Sequence, residues 1–224
     1  MIGTFGQFRL AWSLLVLWLV PFALWGVMGQ ALDRDRLRSE ARDRYGAAGL
    51  ESVSDWLRLI EIGRDQTVDE RLERANQFIN GRTHFESDFQ VWQMQDYWAT
   101  PLETLGIGRG DCEDFAIAKF VSLVALGIPQ DHLRLIYVRA QVEGMPTQAH
   151  MVLGYYPDPN GEPQILDNLV GTIERASTRT DLVPVFSFNA EGLWAGGMKA
   201  ANDPTTKLSR WRDLMTRLRS EGIG

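Results

Sequence analysis

At 224 residues with a formal net charge of -6, the chain is long enough for one fully cored domain plus a terminal extension. Its acidic balance gives no electrostatic footprint for nucleic acid. A single cysteine, Cys112, excludes an intrachain disulfide and any zinc site built on several thiolates.

Residues 10–28 are almost wholly apolar, follow Arg9, and end abruptly at Asp33-Arg34-Asp35-Arg36. About 20 apolar residues cross a bilayer, and Gly29-Gln30-Ala31 places small residues where signal cleavage requires them. Residues 1–31 are therefore expected to be a signal peptide or a membrane anchor. Counted alone, the basic residues Arg34, Arg36, Arg38, Arg42 and Arg44 beyond the run argue for a cytoplasmic C-terminal part.

Residues 32–48 are charged and helix-prone, and read as a linker helix. From Gly49 to Asn80 the apolar positions Val53, Trp56, Leu57 and Ile60, then Leu72, Ala75 and Ile79, predict two amphipathic helices. An aromatic segment from Phe85 to Trp98 follows. Its Trp92, Tyr97 and Trp98 are expected mostly as core, the other reading being that they line a substrate groove or offer an indole N–H to a reacting oxygen. Pro101, Gly106, Gly108 and Gly110 mark a loop that delivers the chain to Cys112. Phe115–Leu126 is apolar on nearly every side and predicts a buried central helix, stopped by Gly127 and Pro129. Strands are expected at 133–138, 149–156, from 164 to 167 and at 184–188. A basic amphipathic helix closes the chain from Lys207. The core domain is set at 49–200 and the basic helical tail at 201–224.

The chemistry gathers at Gly110-Asp111-Cys112-Glu113-Asp114, at the start of the central helix. A helix N-terminus favours a thiolate, whereas three adjacent acids hold the thiol protonated. A bound cation resolves the conflict, and hard carboxylate oxygens select calcium or magnesium over zinc. Downstream lie His150, near the start of one strand, and Asp167, near the end of the next. Paired as a hairpin, those strands bring an imidazole base and an orienting carboxylate onto one face, with Cys112 against them. Taken singly, each residue has a plainer reading: Cys112 as apolar filler, Asp167 as a turn cap, the acids as helix-start charge. His84 and His132 read as surface residues.

Four longer runs sharpen this: 96–103 (Asp-Tyr-Trp-Ala-Thr-Pro-Leu-Glu), 110–119 (Gly-Asp-Cys-Glu-Asp-Phe-Ala-Ile-Ala-Lys), 149–153 (Ala-His-Met-Val-Leu) and 166–169 (Leu-Asp-Asn-Leu). With Val185-Phe186-Ser187-Phe188-Asn189 and Gly192-Leu193-Trp194, they resemble the bacterial transglutaminase-like cysteine proteinases over roughly residues 50–195. The resemblance implies an α+β fold with a transglutaminase-like, papain-like core: N-terminal helices, a central helix bearing the nucleophile, and an antiparallel sheet bearing histidine and acid. It implies a Cys112, His150, Asp167 triad and a calcium ion held by Asp111 and Glu113, with Asp114 a further candidate; three carboxylates are fewer than calcium's usual oxygen count, which leaves room for Asp96. It also implies export to the periplasm, against the charge count, and cleavage of a large surface adhesin near its terminus, promoting biofilm release. Control by an inner-membrane receptor that senses cyclic di-GMP is implied as well. Two other readings keep the fold: an acyltransferase that passes the acyl group to an amine, and a non-catalytic calcium-binding receptor or regulator.

Overall fold

The computed structural model describes residues 32–224 apart from 143, 145 and 197. The signal or anchor assigned to residues 1–31 lies outside them. Among the described residues, no helix is long and apolar enough to cross a membrane.

Helix α1 (Arg34–Gly63) opens on Asp33, whose carboxylate accepts the Arg36 N–H at 3.1 Å. It bends at Gly46, where φ is 67° and ψ is -156°, a conformation natural only to glycine. The expected linker helix is thus the first half of a kinked helix, and it is no linker. Leu37 and Ala41 are fully buried in the same core as Trp56, Leu57 and Ile60. Helix α2 (Val68–Arg82) starts with a capping box between Thr67 and Glu70. A short α3 (Asp88–Trp92) follows, and α4 (Pro101–Ile107) carries a second capping box, Thr100 with Glu103. Helix α5 (Cys112–Ala125) is buried from Glu113 onward, as its all-round apolarity requires. Helix α6 (Ser209–Ser220) buries Trp211, Leu214 and Leu218.

Strands β1 (His84–Phe85) and β2 (Arg109–Gly110) form a small parallel ladder that pins the segment leading into Cys112. The remaining strands are β3 (Leu133–Ala140), β4 (Gln148–Tyr155), β5 (Gln164–Leu166), β6 (Glu174–Arg175), β7 (Leu182–Phe188), β8 (Leu193–Ala195) and β9 (Met198–Ala201). They make one seven-stranded sheet in the order β6-β5-β4-β3-β7-β8-β9, with every neighbouring pair antiparallel. Period-two alternation divides its faces. Leu135, Met151, Leu153 and Phe188 join α5 in the main core, while Ile136, Val138, Val152, Tyr156 and Ile165 form a second cluster. The fold is the expected mixture of helices and an antiparallel sheet around a central helix.

The terminal helices belong to this unit. Trp211 of α6 meets Phe120 and Phe188 edge-on, at centroid distances of 5.9 and 5.3 Å. The boundaries placed at 48 and 200 therefore fall inside one packed body. Periodicity showed the apolar stripes but not what covers them. Buried Glu103 completes the junction: it accepts from Arg44 (3.2 Å), Arg217 (2.6 Å) and the Tyr97 hydroxyl (2.8 Å). Glu103→Ala would remove the carboxylate that Arg44 and Arg217 share, leaving Arg44 with Glu221 and Glu40 and Arg217 with Asp213. Because both guanidinium groups retain some solvent, the expected loss is about 2–3 kcal/mol, read from urea unfolding.

Candidate active site

Cys112 is the first residue of α5, so its backbone N–H and its sulphur sit at the positive end of the helix. Gly110 is required two residues earlier. A Cβ there would lie 2.6 Å from Asp114 Oδ2 and 2.7 Å from Asp114 Cβ. Buried Asp114 ties the neighbouring loops together, accepting the Ala99 N–H on Oδ1 at 2.7 Å and the Asp111 N–H on Oδ2 at 3.3 Å. The half-buried Cys112 thiol donates to Glu113 Oε2 at 2.6 Å and receives the Met151 backbone N–H. That second contact sets the sulphur against β4 at the residue after His150.

His150 and Asp167 are both buried, and His150 Nε2 lies 2.8 Å from Asp167 Oδ1. Beside an ionised carboxylate, Nε2 carries the proton, which leaves Nδ1 as the basic nitrogen for the thiol. The hairpin explains the meeting. Strands β4 and β5 pair antiparallel with Leu153 opposite Leu166, so Asp167, the residue just past β5, comes beside the part of β4 that carries His150. Asp167 Oδ2 takes a second charge-assisted bond, from Arg179 Nη2 at 2.7 Å, and Oδ1 also accepts the Leu169 N–H at 3.1 Å. Burial would raise this carboxyl, but the hydrogen bond and charge of His150, with Arg179 behind, outweigh it and bring it down to about 2. Lys119, two turns along α5 from Cys112, is buried too. Burial lowers its amine to about 7, and the Asp167 charge pulls the other way.

The depressed Asp167 carboxyl has a testable sign. Its folded value lies below the ordinary 3.8, so its contribution is present at pH above that value and is lost as pH falls toward about 2. Urea unfolding should show wild type losing stability more steeply than Asp167→Asn between about pH 4 and pH 2. Parallel curves in that window would contradict the assignment.

The acids form a second centre. Asp111 and Glu113 have oxygens grouped with the thiol, and Asp111 also groups with Asp88 and Asp114, with all ligand atoms of each set within 4.8 Å of one another. Asp88 comes from α3 and fixes the aromatic segment by accepting the Tyr97 N–H at 2.5 Å. Asp88 Oδ1 and Asp111 Oδ1 are buried without a hydrogen-bond partner. Burial first, then the charges of Glu113, Asp114 and Asp88, push Asp111 up to about 9, and burial raises Asp88 to about 6. The thiol is raised as well, by burial and then by Glu113. Orphaned, crowded carboxylate oxygens fit a hard divalent cation, which would satisfy both and relieve the repulsion. Asp96, in contrast, is engaged elsewhere, accepting from Trp98 Nε1 at 3.1 Å and pairing with Arg210 at 2.7 Å.

The structure thus brings His150 and Asp167 into contact, sets Cys112 beside the same strand, and gathers Asp111, Glu113 and Asp114 around the helix start. Asp88 and Arg179 escaped the sequence reading. Nothing local marks Asp88, since its partners are 23 and 26 residues away. Lys119 left a trace, a lone charge in an apolar helix. Trp98 is core, stacked on Phe188 at 5.6 Å, and Trp92 packs on Tyr97 at 5.0 Å. His132 bonds the Tyr156 carbonyl at 2.7 Å, and His84 is exposed.

Comparison with known proteins is consistent with this arrangement. The family model described as bacterial transglutaminase-like cysteine proteinase, BTLCP, matches residues 58–194, more than half of the chain. The chain belongs to this family. Among solved structures, Legionella pneumophila LapG is 39% identical, with 84% of this chain and 99% of that one covered, at a TM-score of 0.72. Its EGTA-treated form, with the same identity and coverage, superposes at 0.74. Its calcium-bound form gives 0.71, again at 39% identity, with 83% of this chain and 98% of that one covered. No curated protein matches the chain. The family match begins near the end of α1 and ends in β8, so most of α1 and all of β9 and α6 lie outside the matched segment, yet α1 and α6 contribute to the same core.

Proposed function

We propose that the chain is a calcium-dependent periplasmic cysteine endopeptidase with Cys112, His150 and Asp167 as its triad. The observation that carries the reading is the buried His150–Asp167 pair, with the Cys112 sulphur held by the backbone of the next residue on the same strand. His150 Nδ1 takes the thiol proton as Sγ bonds to the scissile carbonyl carbon. The electron pair displaced onto oxygen is held by backbone N–H groups at the start of α5. As the C–N bond breaks, the imidazolium returns its proton to the leaving amine, and an acyl-thioester remains. Water, deprotonated by His150, then releases the acid and regenerates the thiol. Asp167 keeps the imidazole oriented and stabilises its charged form, with Arg179 fixing Asp167 from behind.

Asp111, Glu113 and Asp114 are the residues that would hold calcium, with Asp88 joining Asp111 and Asp114 from α3. The calcium-bound LapG relative and the orphaned oxygens here support the same ion. When bound, calcium neutralises the acids that otherwise keep the thiol protonated. The proposed substrate is a large exported adhesin cut in a flexible segment near one end, so that cleavage releases a biofilm. An inner-membrane receptor sensing cyclic di-GMP is the proposed inhibitor, and residues 1–31 the export signal or anchor.

The test is incubation of residues 32–224 with an adhesin terminal segment, in calcium, in chelator, and as Cys112→Ala. Calcium-dependent cutting that is lost in the variant is expected. No cutting by folded, calcium-loaded wild type would remove the substrate, and transfer of the acyl group to an added amine in place of water would move the assignment to an acyltransferase.

A further inference from the structure

On the sheet face turned away from α5 lies a cavity of about 1030 Å³. Its floor is apolar, made by Ile136, Val138, Val152 and Ile165, and Tyr156 and Trp194 contribute aromatic walls. Three cations line it, Arg134, Arg179 and Lys199, and no carboxylate does among the described residues. In a chain of net charge -6 this concentration of positive charge runs against the overall balance.

The cations are held ready. Arg134 is clamped between rings, its Cζ 4.4 Å from the Tyr156 centroid and 4.0 Å from that of Trp194, and Lys199 Nζ lies 5.5 Å over Trp194. Arg134 donates from Nη2 to the Pro159 carbonyl at 2.8 Å, yet its Nε–H is buried without a partner. Arg179 is 3% exposed; its Nε and Nη2 serve Asp181 and Asp167, and its Nη1 is buried with no partner. Neither Arg134 nor Lys199 has an ion pair among the described residues. Buried guanidinium donors left without acceptors, beside an uncompensated amine, call for an anion, and the floor beneath them calls for an apolar body.

We infer that this cavity binds a small organic anion with an aromatic or branched apolar body and a single carboxylate or sulfonate. The anionic group faces Arg134 and Lys199, and the body covers the Ile136–Val152 floor. Since Arg179 also holds Asp167, the occupant lies one side chain from the His150–Asp167 pair. The site stands whether or not the proteolytic reading does.

The experiment uses residues 32–224, which share one core, with 8-anilinonaphthalene-1-sulfonate as probe and N-phenyl-1-naphthylamine, the same rings without the sulfonate, as control. Fluorescence titration should show one saturable site for the sulfonate, at least about tenfold tighter than the neutral arene. Arg134→Gln and Lys199→Gln should each weaken the sulfonate several-fold and leave the neutral arene unchanged. Lys199 is exposed, so that variant should keep the wild-type unfolding temperature and serve if Arg134→Gln does not fold. Equal affinity for the two arenes, sulfonate binding indifferent to both substitutions, or no saturable binding by wild type would each overturn the proposal.

Discussion

Cys112→Ala should abolish peptide-bond cleavage, by at least about 10⁴-fold, and leave the fold intact. The thiol is the only atom of this site able to form the acyl intermediate. The thiol is neutral in the folded protein, so its removal lifts no buried charge and costs only the hydrogen bond to Glu113, and thermal unfolding should be unchanged or slightly earlier. His150→Ala should match it, because Glu113, the carboxylate 2.6 Å from the sulphur, is assigned to calcium and His150 is the base proposed for the thiol. The double variant should fall no further than either single one, since residues that act as a unit are not additive. Steady-state cleavage of a quenched peptide, with active-site titration by iodoacetamide, reads all three. Appreciable turnover in Cys112→Ala would remove the nucleophile assignment, and multiplicative losses in the double variant would separate His150 from Cys112.

Calcium removal should have the second large effect, on stability as well as activity. A ligand at one hundred times its dissociation constant contributes about 2.7 kcal/mol. In a chain of this size that corresponds to about 5–10 °C of unfolding temperature. Chelation should therefore lower the midpoint by that amount and stop cleavage together. Asp88→Asn and Asp111→Asn should lose the calcium increment. Gly110→Ala should lose it as well, because its Cβ displaces Asp114 and with it the loop that carries Asp111. The pH dependence of the metal-free protein follows from the same acids. Asp111 has a folded value raised from 3.8 to about 9, so the folded state binds more protons than the unfolded chain between those limits. Stability without calcium should fall as pH rises through that window, and calcium should flatten the slope. Metal-free Asp111→Asn should accordingly be more stable than metal-free wild type at neutral pH. A metal-free protein whose stability climbs across that window would show that the acids are not crowded in solution.

Much of this site is legible in the chain. Cys112 stands out because it is a lone thiol among acids at the head of an apolar helix, and both helix and strand periods are local properties. His150 and Asp167 follow from two strands joined by an Asp-Pro-Asn-Gly turn, since antiparallel pairing by hairpin has few registers. Asp111, Glu113 and Asp114 announce themselves by adjacency.

What the sequence determined by itself is the order of these elements and the chemistry of the residues at their ends. The tertiary structure decided the partners. Asp88 meets Asp111 only because the β1–β2 ladder folds α3 back against the head of α5. Arg179 reaches Asp167 across the edge of the sheet, and α6 closes over Phe188 while Arg217 reaches Glu103. A carboxylate or guanidinium carries its charge wherever it lies in the chain. Its role depends on what lies within about 4 Å, and for residues distant in sequence only folding sets that distance.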